Sequence, residues 1–296
     1  MGCQLSALTA VGVVGSGTMG RGIAESVLRA GVRVVLRDSS SNALSQARKH
    51  IESSMNRSVD RGHLSAQEVS VLLALLDPVE TPASLSDCQL VIEAVPEILE
   101  IKLAVLASIE DHVSHSAVIA SNTSSIPITR LARALRNPSR FVGLHFFNPV
   151  ARMPLVEVVR TVHSNDSSVA ATRHFVESLL GKSPIVIGDR PGFLVNALLI
   201  PLLLAAARML DSGYADAESI DASMRLGCGH PMGPLELSDF IGLDVVCAAA
   251  DAMYAESRDP ALVVPSNLRR LVEAGHLGAK SGHGFLSPKR TNGAEE

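Results

Sequence analysis

Hydrophobic and polar positions follow two different patterns along the chain. Up to residue 187, short runs rich in Val and Ile alternate with stretches of helical period, which is typical of a doubly wound parallel sheet. Strands are predicted at residues 10–14, 32–36, 89–94, 117–120, 141–146, 155–160 and 184–187. Helices are predicted at residues 18–30, 42–60, 66–76 and 97–112, with a capping box of Ser65 and Glu68 before the third.

The runs of β-branched residues end near residues 188–192, Gly-Asp-Arg-Pro-Gly, and helical patterns replace them. Helices are predicted at residues 193–212, 216–226, 234–255 and 266–275. We therefore expect an α/β fold in which a Rossmann-type doubly wound sheet, residues 1–188, is followed by an all-α C-terminal domain, residues 189–289. Residues 290–296 are expected to form a disordered tail.

Composition narrows the class of protein. The 296 residues suffice for two domains with their own cores, and 47% hydrophobic residues exclude a mainly disordered chain. A net charge of -4 leaves no basic surplus, so we expect no nucleic-acid partner. Residues 193–210 are apolar enough to suggest a membrane span, but Asn196, Pro201 and Arg208 interrupt them, so we expect a buried helix and no membrane partner.

The four cysteines are Cys3, Cys88, Cys228 and Cys247, and their wide spacing matches neither a metal site nor a CxxC pair. They are predicted to be buried small hydrophobic residues in a reducing compartment, with no metal. The first ten residues lack the pattern of a signal peptide, which also favours a cytoplasmic protein.

A glycine-rich motif, Gly15-Ser16-Gly17-Thr18-Met19-Gly20, separates the first predicted strand from the first helix. In this motif the glycines permit a tight turn, close approach of a pyrophosphate, and packing of helix on strand. The second strand leads to Asp38, where a carboxylate would bind ribose hydroxyls and repel a 2′-phosphate. The motif therefore predicts NAD, although the adjacent Arg37 allows mixed use of NADP and a ligand-free turn is the alternative. Gly12 and Gly22 are attributed to close packing.

A dehydrogenase that oxidises an alcohol needs a base, and histidine has a suitable pKa. His145 lies near the end of an apolar run, and Glu157 interrupts another apolar run twelve residues later. If the two runs are neighbouring strands, the carboxylate can orient the ring and stabilise its cation. Composition alone leaves a satisfied core pair as an equal alternative. The other nine histidines occupy polar contexts or, for His230, a Gly/Pro turn, and are weaker candidates.

Five stretches together resemble the L-3-hydroxyacyl-CoA dehydrogenase family, particularly its bacterial 3-hydroxybutyryl-CoA dehydrogenases. They are residues 120–125 (ASNTSS), 143–149 (GLHFFNP), 155–158 (LVEV), 191–196 (PGFLVN) and 229–237 (GHPMGPLEL). The resemblance extends from about residue 11 to residue 285, in order and at the spacing of the family. It implies NAD-dependent interconversion of short-chain (S)-3-hydroxyacyl-CoA and 3-oxoacyl-CoA by a homodimer formed through the helical domain, which also binds substrate.

The resemblance also implies roles for individual residues. His145 would be the general base, Glu157 its orienting partner, and Ser124 and Asn196 hydrogen-bond donors to the substrate. The implied NAD contacts are Glu97, Lys102, Asn148 and Lys280, although Glu97 and Lys102 alone would be interpreted as a helix ion pair. The implied contacts to the coenzyme A phosphates are Ser54, Arg57 and Arg61, for which a solvated basic face is the alternative.

Two departures from the family pattern concern the surroundings of this site. Pro154 occupies the position of a common Lys before the second apolar run, and Leu286-Ser-Pro follows Phe285 where an aromatic residue is usual. The hairpin or the thioester entrance is therefore expected to differ from the family.

Three other functions are compatible with parts of the sequence. One is a related dehydrogenase acting on a hydroxyacyl group carried by acyl carrier protein in secondary metabolism. A non-catalytic NAD sensor is disfavoured because Ser124, His145, Glu157 and Asn196 are all present. The third function, a membrane-bound redox subunit, is supported only by the apolar residues 193–210.

Overall fold

A computed structural model describes residues 8–286. The chain forms two compact units, one up to Arg190 and one from Pro191 onward. Cys3 and the predicted tail at residues 290–296 lie outside the described residues.

The first unit is built on one eight-stranded sheet with strand order β3-β2-β1-β4-β5-β6-β7-β8. The strands are β1 (Ala10–Val14), β2 (Arg33–Arg37), β3 (Leu76–Val79), β4 (Leu90–Glu93), β5 (Val118–Ser121), β6 (Phe141–Phe146), β7 (Leu155–Arg160) and β8 (Ser183–Gly188). The predicted doubly wound architecture is confirmed. The sheet is parallel except at one pairing, where β6 and β7 are joined by a hairpin and run antiparallel.

Six helices flank this sheet: α1 (Thr18–Arg29), α2 (Ser41–Asp60), α3 (Ala66–Leu73), α4 (Leu99–His112), α5 (Ile128–Ala132) and α6 (Asp166–His174). A π-helical turn, Phe175–Leu179, continues α6, and short 3-10 turns occupy Pro82–Leu85 and Pro138–Arg140. The predicted capping box of Ser65 and Glu68 is present at the start of α3.

The prediction is wrong where α3 ends, because the helix expected to reach residue 76 stops at Leu73 and Leu76 begins β3. This strand carries Asp77 and Pro78, which weakens its hydrophobic pattern. Proline is tolerated there because β3 is an edge strand, with a partner on one side only. Helices α5 and α6 were not predicted either.

The strands that end at the site are entirely buried, which explains their nearly continuous apolar sequences. Helices α1 and α2 cover one face of the sheet with side chains such as Ile23, Leu28, Ile51 and Met55, each at most 1% exposed. The sheet is therefore a rigid base for the loops at its edges.

The second unit is helical: α7 (Val195–Asp211), α8 (Ala217–Cys228), α9 (Pro234–Ile241), α10 (Leu243–Ser257) and α11 (Ser266–Glu273), with a 3-10 turn at Pro260–Leu262. The single helix predicted over residues 234–255 is wrong, because Gly242 interrupts it with φ 106° and ψ 124°. Leu203, Leu204, Val246 and Ala250 lie in the core of this unit.

The apolar segment at residues 193–210 forms most of α7, and Leu203 and Leu204 are almost completely buried. Pro201 lies inside this helix. Among the described residues, no helix is both long and apolar enough to cross a membrane.

The cysteine prediction is correct for two of the three described residues. Cys88 and Cys247 are buried, and burial raises the pKa of their thiols to about 12 and about 11, respectively. Cys228 was also expected to be buried but is exposed, because it is the last residue of α8 and the chain turns away at Gly229.

Candidate active site

Four parallel strands, β1, β4, β5 and β6, end at the same edge of the sheet. The loops that follow them carry the glycine motif, Glu97, Ser124 and Asn148, respectively. In open α/β sheets, ligands bind at the carboxyl ends of the strands. The edge formed by these loops is therefore the candidate active site of the first unit.

The glycine motif has the geometry of a phosphate-binding turn. Gly15 has φ 102°, and a Cβ there would lie 2.5 Å from the Ala94 carbonyl oxygen. A Cβ on Gly20 would lie 1.8 Å from the Gly15 carbonyl oxygen. By contrast, Gly17 has open space around it and precedes α1 with no side-chain cap. The first N–H groups of α1, starting at Thr18, can therefore bind a phosphate.

Two further glycines serve packing, as predicted. A Cβ on Gly12 would lie 2.7 Å from a methyl group of Leu85, and one on Gly22 would lie 2.9 Å from a methyl group of Val150. The neighbour of Gly22 belongs to the loop between β6 and β7. The first helix therefore packs closely against the segment that follows His145.

Asp38 directly follows β2 and is linked to the glycine motif. Its Oδ2 accepts hydrogen bonds from the Ser16 N–H at 2.9 Å and the Ser16 hydroxyl at 2.7 Å. Burial raises the pKa of Asp38, but hydrogen bonds from Ser16, Ser40 and Ser39 outweigh it, so the pKa lies below its usual value. The carboxylate is ionised at neutral pH, next to the phosphate-binding turn.

A cavity of about 160 Å³ adjoins the ends of β1 and β2. Its lining is mostly apolar and consists of Val14, Arg37, Pro82, Leu85, Ala104, Val105, Ser108 and Ile109. Of these residues, Val14 directly precedes Gly15 and Arg37 directly precedes Asp38. A flat apolar ring attached to a ribose at Asp38 could enter it.

Glu97 and Lys102 were expected on one helix, but α4 begins at Leu99 and leaves Glu97 in the preceding loop. Glu97 Oε1 accepts the Thr123 hydroxyl at 2.5 Å and the N–H groups of Ser124 and Ser125 at 3.0 and 3.1 Å. Burial raises the pKa of Glu97, but the Lys102 charge and these hydrogen bonds outweigh it and keep the pKa below its usual value. Glu97 therefore connects the loops after β4 and β5.

Lys102 is 0% exposed and forms ion pairs with two carboxylates. Its Nζ lies 2.8 Å from Glu93 Oε1 and 3.2 Å from Glu97 Oε2. Glu93 was not predicted as a site residue, although it interrupts an apolar strand as Glu157 does. That shared signal would have found it.

His145 and Glu157 form a buried pair across the antiparallel strands. They lie directly opposite in the β6–β7 register, and the His145 Nδ1 is 2.6 Å from Glu157 Oε2. His145 is 6% exposed and Glu157 is 0% exposed. An ionised carboxylate only accepts hydrogen bonds, so a neutral ring paired with one through Nδ1 carries its hydrogen there and has its lone pair on Nε2. The condition that the two strands be neighbours is therefore met.

Two further predicted residues of the first unit lie on the loops at this edge of the sheet. Ser124 and Asn148 are both exposed, Ser124 after β5 and Asn148 shortly after β6. Asn122, which sequence analysis did not single out, accepts a hydrogen bond from the Phe146 N–H at 3.0 Å. This bond joins the loop that bears Ser124 to the strand that bears His145.

The three residues expected to bind coenzyme A lie along the second half of α2 or just after it. Arg57 and Arg61 are exposed, whereas the Ser54 hydroxyl donates to Glu25 Oε1 at 3.0 Å. An open hollow on this helix is lined by Lys49, Glu52, Ser53, Asn56, Arg57 and Asp60. The surface therefore offers exposed guanidinium groups, together with two acids.

Two predicted site residues belong to the second unit. Asn196 is half-buried in the first turn of α7. Lys280 is exposed, and its Nζ lies 2.7 Å from Asp244 Oδ2. Within residues 8–286, no group of three or more His, Cys, Asp or Glu side chains could hold a metal ion.

Comparisons with known proteins identify the family of the chain. Models of the 3-hydroxyacyl-CoA dehydrogenase NAD binding domain and C-terminal domain match residues 10–190 and 192–287. A 3-hydroxybutyryl-CoA dehydrogenase of Mycobacterium tuberculosis is 46% identical over 95% of this chain and 99% of its own length.

A solved structure of (S)-3-hydroxybutyryl-CoA dehydrogenase from Ralstonia eutropha superposes with a TM-score of 0.92 at 39% identity, covering 96% of this chain and 100% of that one. A probable 3-hydroxybutyryl-CoA dehydrogenase of Deinococcus radiodurans is 39% identical over 93% of this chain and 98% of its own. With both family models and these full-length similarities in agreement, the chain belongs to the 3-hydroxyacyl-CoA dehydrogenase family.

Proposed function

We propose that this NAD-dependent 3-hydroxyacyl-CoA dehydrogenase interconverts short-chain (S)-3-hydroxyacyl-CoA and 3-oxoacyl-CoA, with His145 as general base and acid. The observation that carries the proposal is the buried His145–Glu157 pair, 2.6 Å apart across β6 and β7; β6 lies next to β5, which leads into the loop that bears Ser124. The 3-hydroxybutyryl-CoA relatives support a short acyl chain.

In the oxidative direction, His145 Nε2 accepts the proton of the substrate 3-hydroxyl group. The ring then becomes a cation, which the carboxylate of Glu157 stabilises through Nδ1. In the reductive direction the same cation returns the proton to the 3-oxo oxygen. Because Glu157 is fully buried, its charge acts on the ring without screening by water.

Ser124 and Asn196 are proposed to donate hydrogen bonds to the substrate oxygens, where negative charge develops during the reaction. Glu97 Oε1 accepts the Ser124 N–H at 3.0 Å and, at 3.5 Å, the Ser124 hydroxyl, and these contacts hold the loop in place. Asn196 lies in the first turn of α7, a rigid element of the second unit.

We propose that the cofactor binds along residues 15–20, with Asp38 at its ribose and the 160 Å³ cavity around its adenine. When bound, NAD supplies the acceptor for the substrate hydride. The further contacts proposed for the cofactor, on the basis of the family resemblance, are Glu97, Asn148 and Lys280. The ionised state of Asp38 supports NAD over NADP.

The coenzyme A phosphates are proposed to bind Arg57 and Arg61, with Ser54 beside them. Both guanidinium groups are exposed at the end of α2, and each can hold a phosphate through two parallel hydrogen bonds. An acyl group carried by acyl carrier protein would not need these contacts, because its phosphopantetheine lacks the adenosine phosphates.

We also propose that the chain works as a homodimer in the cytoplasm, formed through its second unit. Large apolar side chains of this unit are exposed, including Leu226 (87%), Leu198 (70%) and Phe240 (70%). Burial of such side chains is the usual driving force of subunit association. The described cysteines are all free thiols, as expected in a reducing compartment.

His145→Gln should lower kcat for NADH-dependent reduction of acetoacetyl-CoA by about 100-fold to 10,000-fold, because the glutamine cannot transfer the proton. The dissociation constant of NADH, measured by fluorescence titration, should stay near the wild-type value. His112→Gln, a change at an exposed residue at the far end of α4, is the control and should behave like wild type. Wild-type turnover in His145→Gln would exclude this residue as the base.

Asp38→Asn should raise the ratio of kcat/KM for NADPH to that for NADH by at least about tenfold, because it removes a charge that repels the 2′-phosphate. The amide can still accept a hydrogen bond from Ser16, so the turn should keep its shape. Steady-state kinetics with both cofactors measures the ratio. An unchanged preference would mean that another residue contacts the ribose.

Charge reversal at both Arg57 and Arg61 (R57E/R61E) should raise KM for acetoacetyl-CoA by about 10-fold to 100-fold, the cost of losing charged hydrogen bonds. KM for acetoacetyl-pantetheine, which lacks the phosphates, should not change. Arg48→Glu, a single charge reversal on the same helix, is the control, because nine residues turn it to the opposite side of α2 from Arg57. Equal effects on both substrates would contradict the phosphate contacts, and no effect on either would favour a carrier-protein substrate.

Sedimentation velocity should give twice the mass of one chain for the wild-type protein. Phe240→Glu should shift the distribution toward the monomer, because it buries a charge in the proposed interface. A monomeric wild-type protein at micromolar concentration would rule out the homodimer.

A further inference from the structure

A charged cluster lies buried beneath the loops of the site. It consists of Glu93, Lys102 and Ser121, and each of these residues is 0% exposed. Glu93 and Ser121 are the last residues of two neighbouring parallel strands, β4 and β5, and lie directly opposite in their register. The cluster therefore sits where the loops bearing Glu97 and Ser124 begin.

Lys102 has an acceptor for each of its three N–H groups. Its Nζ is 2.8 Å from Glu93 Oε1, 3.2 Å from Glu97 Oε2 and 3.3 Å from the Val95 carbonyl oxygen. A lysine ammonium group has three donors and no more. All of them point to this chain's own atoms, so Lys102 acts on the site through Glu97.

Glu93 holds this ammonium group in place. Its Oε1 accepts from Lys102 and also from the Val95 N–H at 2.8 Å, while its Oε2 accepts the Ser121 hydroxyl at 2.5 Å. Its carbonyl oxygen accepts the Asn122 N–H at 2.7 Å. Glu93 is therefore hydrogen-bonded to the start of both loops.

Glu97 continues the connection to the reacting centre. Lys102 engages its Oε2, and its Oε1 accepts from Thr123, Ser124 and Ser125. A continuous series of contacts thus runs from Glu93 through Lys102 and Glu97 to the N–H of Ser124.

Neutralising Glu93 would change the balance of charge in this series. In the wild-type protein, the ammonium group is attracted to two carboxylates, those of Glu93 and Glu97. With Glu93 neutral, the Glu97 carboxylate becomes the dominant attraction for a cation that is out of contact with water. The Lys102–Glu97 pair would then rearrange, and the loop bound to Glu97 would move with it.

We propose that Glu93 is a positioning residue of the dehydrogenase reaction, which fixes Lys102 so that Glu97 holds the Ser124 loop in its reactive arrangement. The proposal rests on the function proposed above for Ser124. Glu93 touches neither substrate nor cofactor in this role. Lys102 likewise supports the loop and makes no direct contact with NAD.

Glu93→Gln tests the proposal, because it removes the charge while keeping the size and most of the hydrogen-bonding capacity of the side chain. We expect kcat for acetoacetyl-CoA reduction to fall about tenfold to 100-fold, since a misplacement of about 1 Å has an effect of this order. KM for acetoacetyl-CoA should change little, because the arginines on α2 are untouched.

The matched control is Glu110→Gln. Glu110 is also buried, 6% exposed, and accepts the Arg136 and Asn137 N–H groups and the Arg140 guanidinium group. It lies near the C-terminal end of α4, by residues that precede β6, away from the site edge. We expect this variant to lose thermal stability as Glu93→Gln does but to keep the wild-type kcat.

Hydrogen exchange monitors the loop independently of activity. Glu93→Gln should accelerate amide exchange at Ser124 and Ser125, whose N–H groups bind Glu97, whereas Glu110→Gln should not. If Glu93→Gln does not fold, Ser121→Ala removes a donor to Glu93 Oε2 and should change kcat and exchange in the same direction.

The outcomes separate this proposal from the proposed function. A wild-type protein without activity on 3-oxoacyl-CoA thioesters would contradict the function. An active wild-type protein together with a folded Glu93→Gln variant of unchanged kcat and unchanged exchange at Ser124 would overturn the positioning role. Equal losses of kcat in Glu93→Gln and Glu110→Gln would mean that Glu93 contributes only to the stability of the fold. That result would also overturn the positioning role.

Discussion

A carboxylate removed from water needs hydrogen-bond donors, and this requirement shapes the edge of the sheet where the site lies. Asp38 accepts hydrogen bonds from the N–H and the hydroxyl of Ser16. These bonds connect the end of β2 to the glycine motif. Glu93 accepts a hydrogen bond from Lys102, which connects β4 to α4. Glu157 on β7 is hydrogen-bonded to His145 on the neighbouring strand β6. In each case, a carboxylate on or just after a strand takes its donors from a different segment of the chain, so satisfying the acid joins two segments of the site.

The sequence predicts those parts of the fold whose signals are local. The ends of β1, β6 and β7 agree with the predicted ends, because each strand is a short and mainly apolar run. The position of Gly15 and Gly20 also follows from a local pattern, since each is required by backbone contacts within or beside the turn. Where local signals conflict, prediction fails: Pro78 hides an edge strand, and Gly242 divides a helix whose apolar pattern continues past it.

The partners of charged side chains are much harder to predict, because they depend on strand order and register. His145 and Glu157 could be joined only on the condition that their strands were neighbours, which the structure fulfils. Lys102 appeared to pair with Glu97 on one helix, but the helix starts at Leu99 and the ammonium group reaches Glu93 on β4 as well. A count of charges along the chain contains no information about that second partner.

The β6–β7 hairpin has a consequence for the kind of sequence change that the site can tolerate. The ring and its carboxylate lie within a single hairpin, so their meeting depends on the register of two short strands. A one-residue insertion inside either strand would turn the side chains beyond it to the opposite face and separate the pair. Insertions in the connecting segment, residues 147–154, leave that register intact. Homologous chains can therefore differ in length around Pro154 while the two strands keep the same register.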